Sequence, residues 1–389
     1  MENMVTDINI TVLGLGFVGL TAAAGFATKG FTVTAFDIDE NRRQLIASGV
    51  VPFHEPGLTT TGIHVATTQD EATLNAHVVF ICVGTPQGEH GDVDLRYIEH
   101  ALQTLNAPAD CLVVIKSTVP PGTTANLTSR YKLANNPEFL REGRAWPDFM
   151  MPDRIICGVT DEASKALLSI IYSRFEAPIH FTTLSTAEFI KYLSNTLLAT
   201  LISYANEMSL IADHMGNIDT KAAFQILHQD KRLEGSGIAS YIYPGAGYGG
   251  YCLPKDTQAM AYVGGDHANI LKQVIATNNH MPTVNLAKII QHCPSKTTSI
   301  TILGLSFKPD SDDVRDSTAA KIIAGLLASG YSCINAYDPL AMSEFQKHYD
   351  FDITYSDTLG EVVVIATGWQ VFKQLDLTGK QVVDLRYLL

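Results

Sequence analysis

The run Ile8-Asn9-Ile10-Thr11-Val12-Leu13 passes directly into Gly14-Leu15-Gly16-Phe17-Val18-Gly19, and this junction restricts the fold more than any other stretch of the chain. A short apolar strand that turns through GxGxxG into a helix opens a βαβ dinucleotide-binding unit. Gly14 permits the tight turn, Gly16 lets the backbone approach a pyrophosphate, and Gly19 lets helix and strand pack closely. The helix that starts at Phe17 and Val18 then points its N-terminus at the anion. A second strand pattern at 31–36 ends at Asp37, where a carboxylate takes the ribose hydroxyls. Asp37 also repels a 2′-phosphate, which favours NAD over NADP. Arg42 and Arg43 follow closely and act in the opposite sense, and Arg42 joins the candidate cofactor contacts.

Further strand patterns at 77–83 and 111–115 alternate with helical segments, as in a parallel, doubly wound sheet. From Ser185 to about residue 215 the pattern is one long helix, with more helix at 219–228 and 254–292 and no strand signal. Strands return at 299–303, 332–336, 361–366 and 381–383. The expected fold class is therefore α/β: two Rossmann-like doubly wound parallel-sheet domains joined by a central all-helical domain, divided as 1–183, 184–294 and 295–389. The two ends are similar in design. Ile10-Thr11-Val12-Leu13-Gly14-Leu15-Gly16 parallels Ile300-Thr301-Ile302-Leu303-Gly304-Leu305-Ser306, and Phe36-Asp37 parallels Tyr337-Asp338. In the second copy Ser306 and Pro309 replace two fingerprint glycines, so it is not expected to bind a dinucleotide in the same way. Its Lys308 and Arg315 suit a phosphate-bearing ligand instead.

Pro244-Gly245-Ala246-Gly247-Tyr248-Gly249-Gly250-Tyr251-Cys252-Leu253-Pro254-Lys255-Asp256 is the most informative stretch for chemistry. Its glycines let the backbone lie close to a ligand. Pro254 suits the first turn of a helix, which places Cys252 at a helix N-terminus, where the dipole favours thiolate. A lone cysteine is usually a small buried hydrophobe, and the other five read that way; Cys252, in polar, glycine-rich surroundings, reads as a nucleophile. On the long helix, Glu188, Lys191, Asn195, Ser203 and Asn206 share one side, while Leu193, Leu197, Leu201 and Ile211 lie elsewhere. That stripe is either a solvated face or a set of donors, with Lys191 and Asn195 one turn apart and aimed at a developing oxyanion.

Composition narrows the classes of function. With 27 Lys and Arg against 40 Asp and Glu, the net charge is −13 and no basic run exists, so a nucleic-acid partner is not expected. An anionic substrate must be drawn locally, by Lys191, Lys308 and helix ends. No apolar run reaches the roughly 18 residues of a membrane span, and the N-terminus does not resemble a targeting peptide. Six scattered cysteines without a CxxC pair argue for a reducing cytoplasm and against a metal site.

Taken together, GLGFVG (14–19), CVGTP (82–86), KSTVPPGTT (116–124), NPEFLREG (136–143), KYLSNTLLATLISYANE (191–207), GYGGYCLPKD (247–256) and LGLSFKPDSDDVRDS (303–317) resemble the UDP-glucose/GDP-mannose dehydrogenase family over essentially the whole chain. The resemblance implies an NAD-binding domain, a central helical dimerisation domain forming a homodimer, and a C-terminal nucleotide-sugar domain. It implies a four-electron oxidation of a sugar C6 alcohol, with UDP-glucose as the favoured substrate and GDP-mannose or a UDP-N-acetylhexosamine as alternatives. A two-electron hydroxyacid-type dehydrogenase and a non-catalytic sensor are the readings outside that class. By motif position, Cys252 is the nucleophile, Lys191 and Asn195 stabilise oxyanions, and Asp256 helps to activate water or to orient Lys191. Thr118 and Glu138 handle water and proton transfer near C6. For the cofactor the resemblance adds Thr85, Pro86, Thr118, Glu142 and Arg315 to the glycines, Phe17, Val18, Asp37 and Arg42. For the substrate it implies Glu138, Phe139, Leu140, Lys191, Asn195, Tyr241, Tyr248, Gly249, Phe307, Lys308 and Arg386. The chain departs from the family in one place. An arginine that usually stands about sixteen residues before the cysteine, and reaches the neighbouring subunit's substrate, is Ser236 here, and Arg232 is the nearest substitute.

Overall fold

The structure, a computed structural model, describes residues 8–235 and 237–389. Its contacts group the chain into two compact units that meet at Leu193 and Ser194, each described separately below.

The first unit carries an eight-stranded sheet: Asn9–Leu13 (β1), Thr32–Phe36 (β2), Ile63–Val65 (β3), Val78–Ile81 (β4), Leu112–Ile115 (β5), Lys132–Asn135 (β6), Ile155–Gly158 (β7) and Ile179–Thr182 (β8). The strand order is β3-β2-β1-β4-β5-β6-β7-β8, and every pairing is parallel except β6 with β7, which meet antiparallel at Asn135 and Gly158. The order reverses between β1 and β4, the crevice where open α/β sheets bind their ligands. β4 and β5 are buried throughout, as strands covered on both faces must be. The helix Phe17–Thr28 is buried along most of its length, so it is built of small residues. A Cβ on Gly25 would lie 2.2 Å from the Phe149 ring. Phe26 anchors the core with its ring 4.9 Å from Phe80 and 5.4 Å from Phe149.

The second unit begins within the helix Leu184–Met215 and continues with Thr220–Leu227, Cys252–Gly264 and Asn269–Ile290 before its own sheet. That sheet comprises Ile300–Leu303 (β9), Ile334–Tyr337 (β10), Thr354–Tyr355 (β11), Val362–Ile365 (β12) and Gln381–Asp384 (β13), all parallel, in the order β11-β10-β9-β12-β13. Ile322, Ile323 and Leu326 of the helix Thr318–Ala328 pack with Ile300, Ile302 and Val364 in its core. No described helix is long and apolar enough to cross a membrane.

The expected α/β class and the two sheets joined through helices are present. The 254–292 helical pattern is in fact two helices, broken at Gly265, whose positive φ of 50° ends the first. Five strands (β3, β6, β7, β8 and β11) went unrecognised in the sequence. β3 and β11 are three and two residues long, and β6 (KLAN), β7 (IICG) and β8 (IHFT), as long as β4 (VVFI) and β5 (LVVI), lack their unbroken run of branched and aromatic residues.

Candidate active site

In the first unit the glycine loop leaves β1 at the switch point. Gly14 has φ 88°, and a Cβ there would stand 2.8 Å from the Cys82 carbonyl oxygen at the end of β4. A Cβ on Gly19 would stand 1.8 Å from the Gly14 oxygen. Gly16 differs: nothing lies within 4 Å of its Cβ position, and as N-cap it offers no side chain to the Phe17–Thr28 helix. The backbone at the head of that helix therefore leaves room beside Gly16, the place where a pyrophosphate fits. Asp37 is positioned by the Leu15 N–H, which donates to Oδ2 at 2.6 Å, and by the Asp39 N–H, which donates to Oδ1 at 2.9 Å. Arg42 approaches the same carboxylate at 3.5 Å. These residues fit NAD. Phe17 packs its ring 5.5 Å from Phe53, Val18 packs against the sheet core, Thr85 is buried, and Pro86 accepts the Asp94 N–H at 2.9 Å.

Glu138 and Lys191 form a buried ion pair with Nζ to Oε1 at 2.9 Å. The Leu140 N–H donates to Glu138 Oε2 at 2.6 Å, and Lys191 Nζ stands 5.5 Å from the Phe139 ring centroid. Burial pushes the Glu138 carboxyl up, but the charge and hydrogen bond of Lys191, the Leu140 amide and the charge of Lys116 outweigh it and hold it below its ordinary range. Lys116, which the sequence reading passed over, is buried at the end of β5. Its Nζ donates to Asn136 Oδ1 at 2.7 Å, and burial lowers its basicity. Ser117 Oγ donates to the Val83 carbonyl at 2.7 Å, fixing the strand end from which half-buried Thr118 projects. Glu142 is half-buried beyond β6.

The polar stripe of the long helix is not a solvated face. Glu188, Lys191, Asn195, Ser203 and Asn206 are all buried, Asn206 completely, while Leu193 and Leu197 are 54% and 46% exposed. This inverts ordinary helix amphipathicity, and each buried polar group has structural work. Glu188 accepts the Gly122 N–H at 2.5 Å and the Thr124 N–H at 2.7 Å, and burial raises its carboxyl despite them. Ser203 Oγ donates to the Val274 carbonyl at 3.1 Å.

In the second unit Cys252 is the first residue of the Cys252–Gly264 helix and is exposed. Asp256, one turn on and buried, accepts from Asn195 Nδ2 at 2.6 Å and from Lys255 Nζ at 2.6 Å. Asp256 therefore orients Asn195, and Lys255 is the partner that the sequence reading did not name. Gly249 and Gly250 sit against the 304–317 loop: their Cβ positions fall 2.4 Å from the Asp316 oxygen and 2.9 Å from the Phe307 ring. Arg315 lies 4.5 Å over the Tyr251 ring and pairs with Asp313 at 2.7 Å. Lys308 stands 5.7 Å from the Phe307 centroid. Arg386 is half-buried, and its Nη1 lies 2.8 Å from where a Gly245 Cβ would be. Tyr248 is buried, and Tyr241 ends the turn Ile238–Tyr241. Arg232 is exposed and paired with Asp230; Ser236 lies outside the described residues.

The similarity of the two sheets extends to their loops. Gly304 N–H donates to Tyr337 O at 2.8 Å and Leu305 N–H to Asp338 Oδ2 at 2.7 Å, matching Gly14 with Phe36 and Leu15 with Asp37. Asp338, however, also accepts from Ser306 Oγ, Trp369 Nε1 and the Leu340 and Ala341 amides. It has no oxygen left for a ribose.

A Rossmann loop open at its second glycine, and a second α/β unit whose matching loop is closed to a ribose, are the parts of an NAD-dependent dehydrogenase. The chain belongs to the UDP-glucose/GDP-mannose dehydrogenase family: its NAD binding domain matches residues 8–176, its central domain 185–280 and its UDP binding domain 301–389. The UDP-glucose 6-dehydrogenase YwqF of Bacillus subtilis is 37% identical over 96% of this chain and 90% of its own. A UDP-glucose dehydrogenase structure from the archaeon Pyrobaculum islandicum superposes with a TM-score of 0.92 at 35% identity, covering 100% of this chain and 96% of its own. A UDP-D-ManNAc dehydrogenase from Pyrococcus horikoshii follows at 0.86 and 26%, covering 98% and 96%.

Proposed function

We propose that the protein oxidises UDP-glucose to UDP-glucuronate through covalent intermediates on Cys252, consuming two NAD. The observation that carries this reading is the exposed Cys252 thiol at the head of a helix, at the end of a glycine-rich turn. Bound NAD supplies the hydride acceptor for each oxidation. In the first, the C6 hydroxyl gives up its proton and C6 its hydride, leaving an aldehyde. The Cys252 sulfur then bonds to C6 and a proton reaches the carbonyl oxygen, giving a thiohemiacetal that again carries a hydride on C6. Loss of that hydride and of the hydroxyl proton leaves a thioester. Water adds, the C–S bond breaks, and the carboxylate leaves with Cys252 restored. Lys191 and Asn195 are assigned to the oxyanions, Thr118 and Glu138 to the water and proton transfers. Asp256 is assigned to Asn195, which it already orients. Thr85, Pro86, Glu142 and Arg315 are assigned to NAD with the first glycine loop; Tyr241, Tyr248, Phe307, Lys308, Arg232 and Arg386 to the sugar nucleotide.

The same reading divides the chain functionally at 183/184 and 294/295 and places it in the cytoplasm, since its six scattered cysteines form no disulfide framework. The test is to add limiting UDP-glucose to excess NAD and count NADH per sugar. Two are expected. One would overturn the thioester route. None, with turnover of GDP-mannose or a UDP-N-acetylhexosamine, would overturn the substrate.

A homodimer through the helical region is part of the same proposal. Tyr204, Met208, Ile211, Met215, Ile218 and Leu227, on two successive helices and the turn between them, are exposed and line an apolar groove; large apolar patches of this kind mark protein interfaces. Ile211→Glu is expected to convert a dimer into a monomer in sedimentation equilibrium. A wild-type chain that is monomeric at micromolar concentration would exclude the assembly.

A further inference from the structure

The turn that delivers Cys252 cannot hold its own shape. Gly247 and Gly250 adopt φ of 106° and 77°, and a stretch this rich in glycine loses more conformational freedom on folding than ordinary chain. Between residues 243 and 251 it forms no helix or strand. Its backbone polar groups are instead met by three buried asparagine side chains. Asn206, on the long helix, accepts the Gly245 N–H at 2.7 Å. Asn285, on the helix Asn269–Ile290, donates from Nδ2 to the Ala246 carbonyl at 3.0 Å. Asn278, two turns earlier on that helix, takes both polar atoms of one residue: it accepts the Tyr248 N–H at 2.8 Å and donates to the Tyr248 carbonyl at 3.0 Å. The fit is close, since a Cβ on Gly247 would lie 2.9 Å from Asn278 Oδ1. The last anchor is the Gly250 N–H, which donates to the Arg315 carbonyl at 3.0 Å. The chain is thus held at 245, 246, 248 and 250, and Cys252 follows two residues later.

Only a primary amide offers one donor and one acceptor in a plane that copies a neighbouring strand, so Asn278 can hold Tyr248 as a strand would. A buried asparagine inside an amphipathic helix is otherwise costly. Asn278 and Asn285, at i and i+7 on one helix, are kept on the face that meets the turn.

We propose that Asn278, Asn285 and Asn206 are positioning residues for Cys252, an asparagine cradle that fixes the glycine turn so that the thiol stands in its reactive place. The proposal rests on the reading of Cys252 as nucleophile, and its test is chosen to fail separately from that reading. Iodoacetamide alkylation reports the exposure and environment of a thiol without turnover. Cys252 and Cys333 are exposed and the other four cysteines are buried, so Cys333 is an internal reference. In the full-length Asn278→Ala and Asn285→Ala variants, with per-cysteine rates measured by peptide mass spectrometry, the Cys252 to Cys333 ratio is expected to change by about ten-fold or more. The turnover rate is expected to fall about 100-fold, the scale of a 1 Å misplacement. Asn278→Ser, which keeps a hydroxyl for one of the two bonds, is expected to fall between wild type and Asn278→Ala in both readouts. Folded alanine variants with a wild-type ratio would overturn the cradle. A changed ratio with full turnover would overturn its catalytic consequence. If none of the three variants folds, the asparagines serve the fold and the proposal is wrong. Retained turnover in Cys252→Ala would remove the nucleophile assignment while leaving the alkylation result standing.

Discussion

Cys252→Ala is expected to abolish uronate formation, by about four to six orders of magnitude, the scale on which removing a covalent nucleophile acts. The aldehyde made in the first oxidation has no sulfur to capture it, so the hydride of the second oxidation is never presented on a tetrahedral carbon. One NADH per enzyme-bound sugar remains possible, and the aldehyde or its hydrate should be trapped by a hydrazine probe. Cys252→Ser should also lose net turnover, because its hydroxyl is a weaker nucleophile at neutral pH and an ester leaves less readily than a thioester. No other described thiol can substitute. Burial pushes Cys82, Cys111 and Cys157 up to about 12 and also raises Cys293, while Cys333 directly precedes β10, at the N-terminal end of that strand. Undiminished uronate production by Cys252→Ala, measured by mass spectrometry, would remove the covalent scheme.

The parts of this molecule that could be read from the sequence are those where one backbone requirement selects one residue type. Gly14 and Gly19 are such positions, since any side chain would strike backbone, and the strand–glycine–helix junction followed. The second loop was legible for the same reason. Ser306 in place of a glycine marks the loop whose Asp338 is taken up by protein donors. The long helix left two readings open because periodicity shows which residues share a face but not which face is inside. Structure decides it: Asn206 is buried and Leu193 exposed. Lys116, Asn278 and Asn285 were missed because their partners lie on other elements or belong to the backbone, and Lys255 because adjacent residues on a helix do not ordinarily face each other. Only the seven-residue spacing of Asn278 and Asn285 within an amphipathic helix was available as a signal.

The second large effect is expected at the Glu138–Lys191 pair. Lys191→Met keeps the length and apolar stem of the side chain and deletes its charge. It leaves a buried carboxylate without its nearest cation, and breaking a buried pair in this way costs about 3–5 kcal/mol. Urea unfolding at neutral pH should show that loss in Lys191→Met and a comparable one in Glu138→Gln. The double variant should recover most of it, because no unpaired charge remains, yet stay inactive. That split separates a structural pair from a catalytic one. The pH dependence has a definite sign. In the wild type the folded-state carboxyl of Glu138 is held below its ordinary value of 4.5, so the unfolded chain binds more protons in the window beneath it. The contribution of Glu138 is therefore complete above that value and is lost as the pH falls through the lower folded-state one. Without Lys191, burial dominates and only the Leu140 amide and the charge of Lys116 oppose it, so the folded-state carboxyl rises and the acid limb of the stability profile moves toward neutrality. A Lys191→Met protein as stable as wild type across this range would mean that the buried carboxylate has no need of its lysine, and the role of Glu138 as an ionised group near C6 would have to be abandoned.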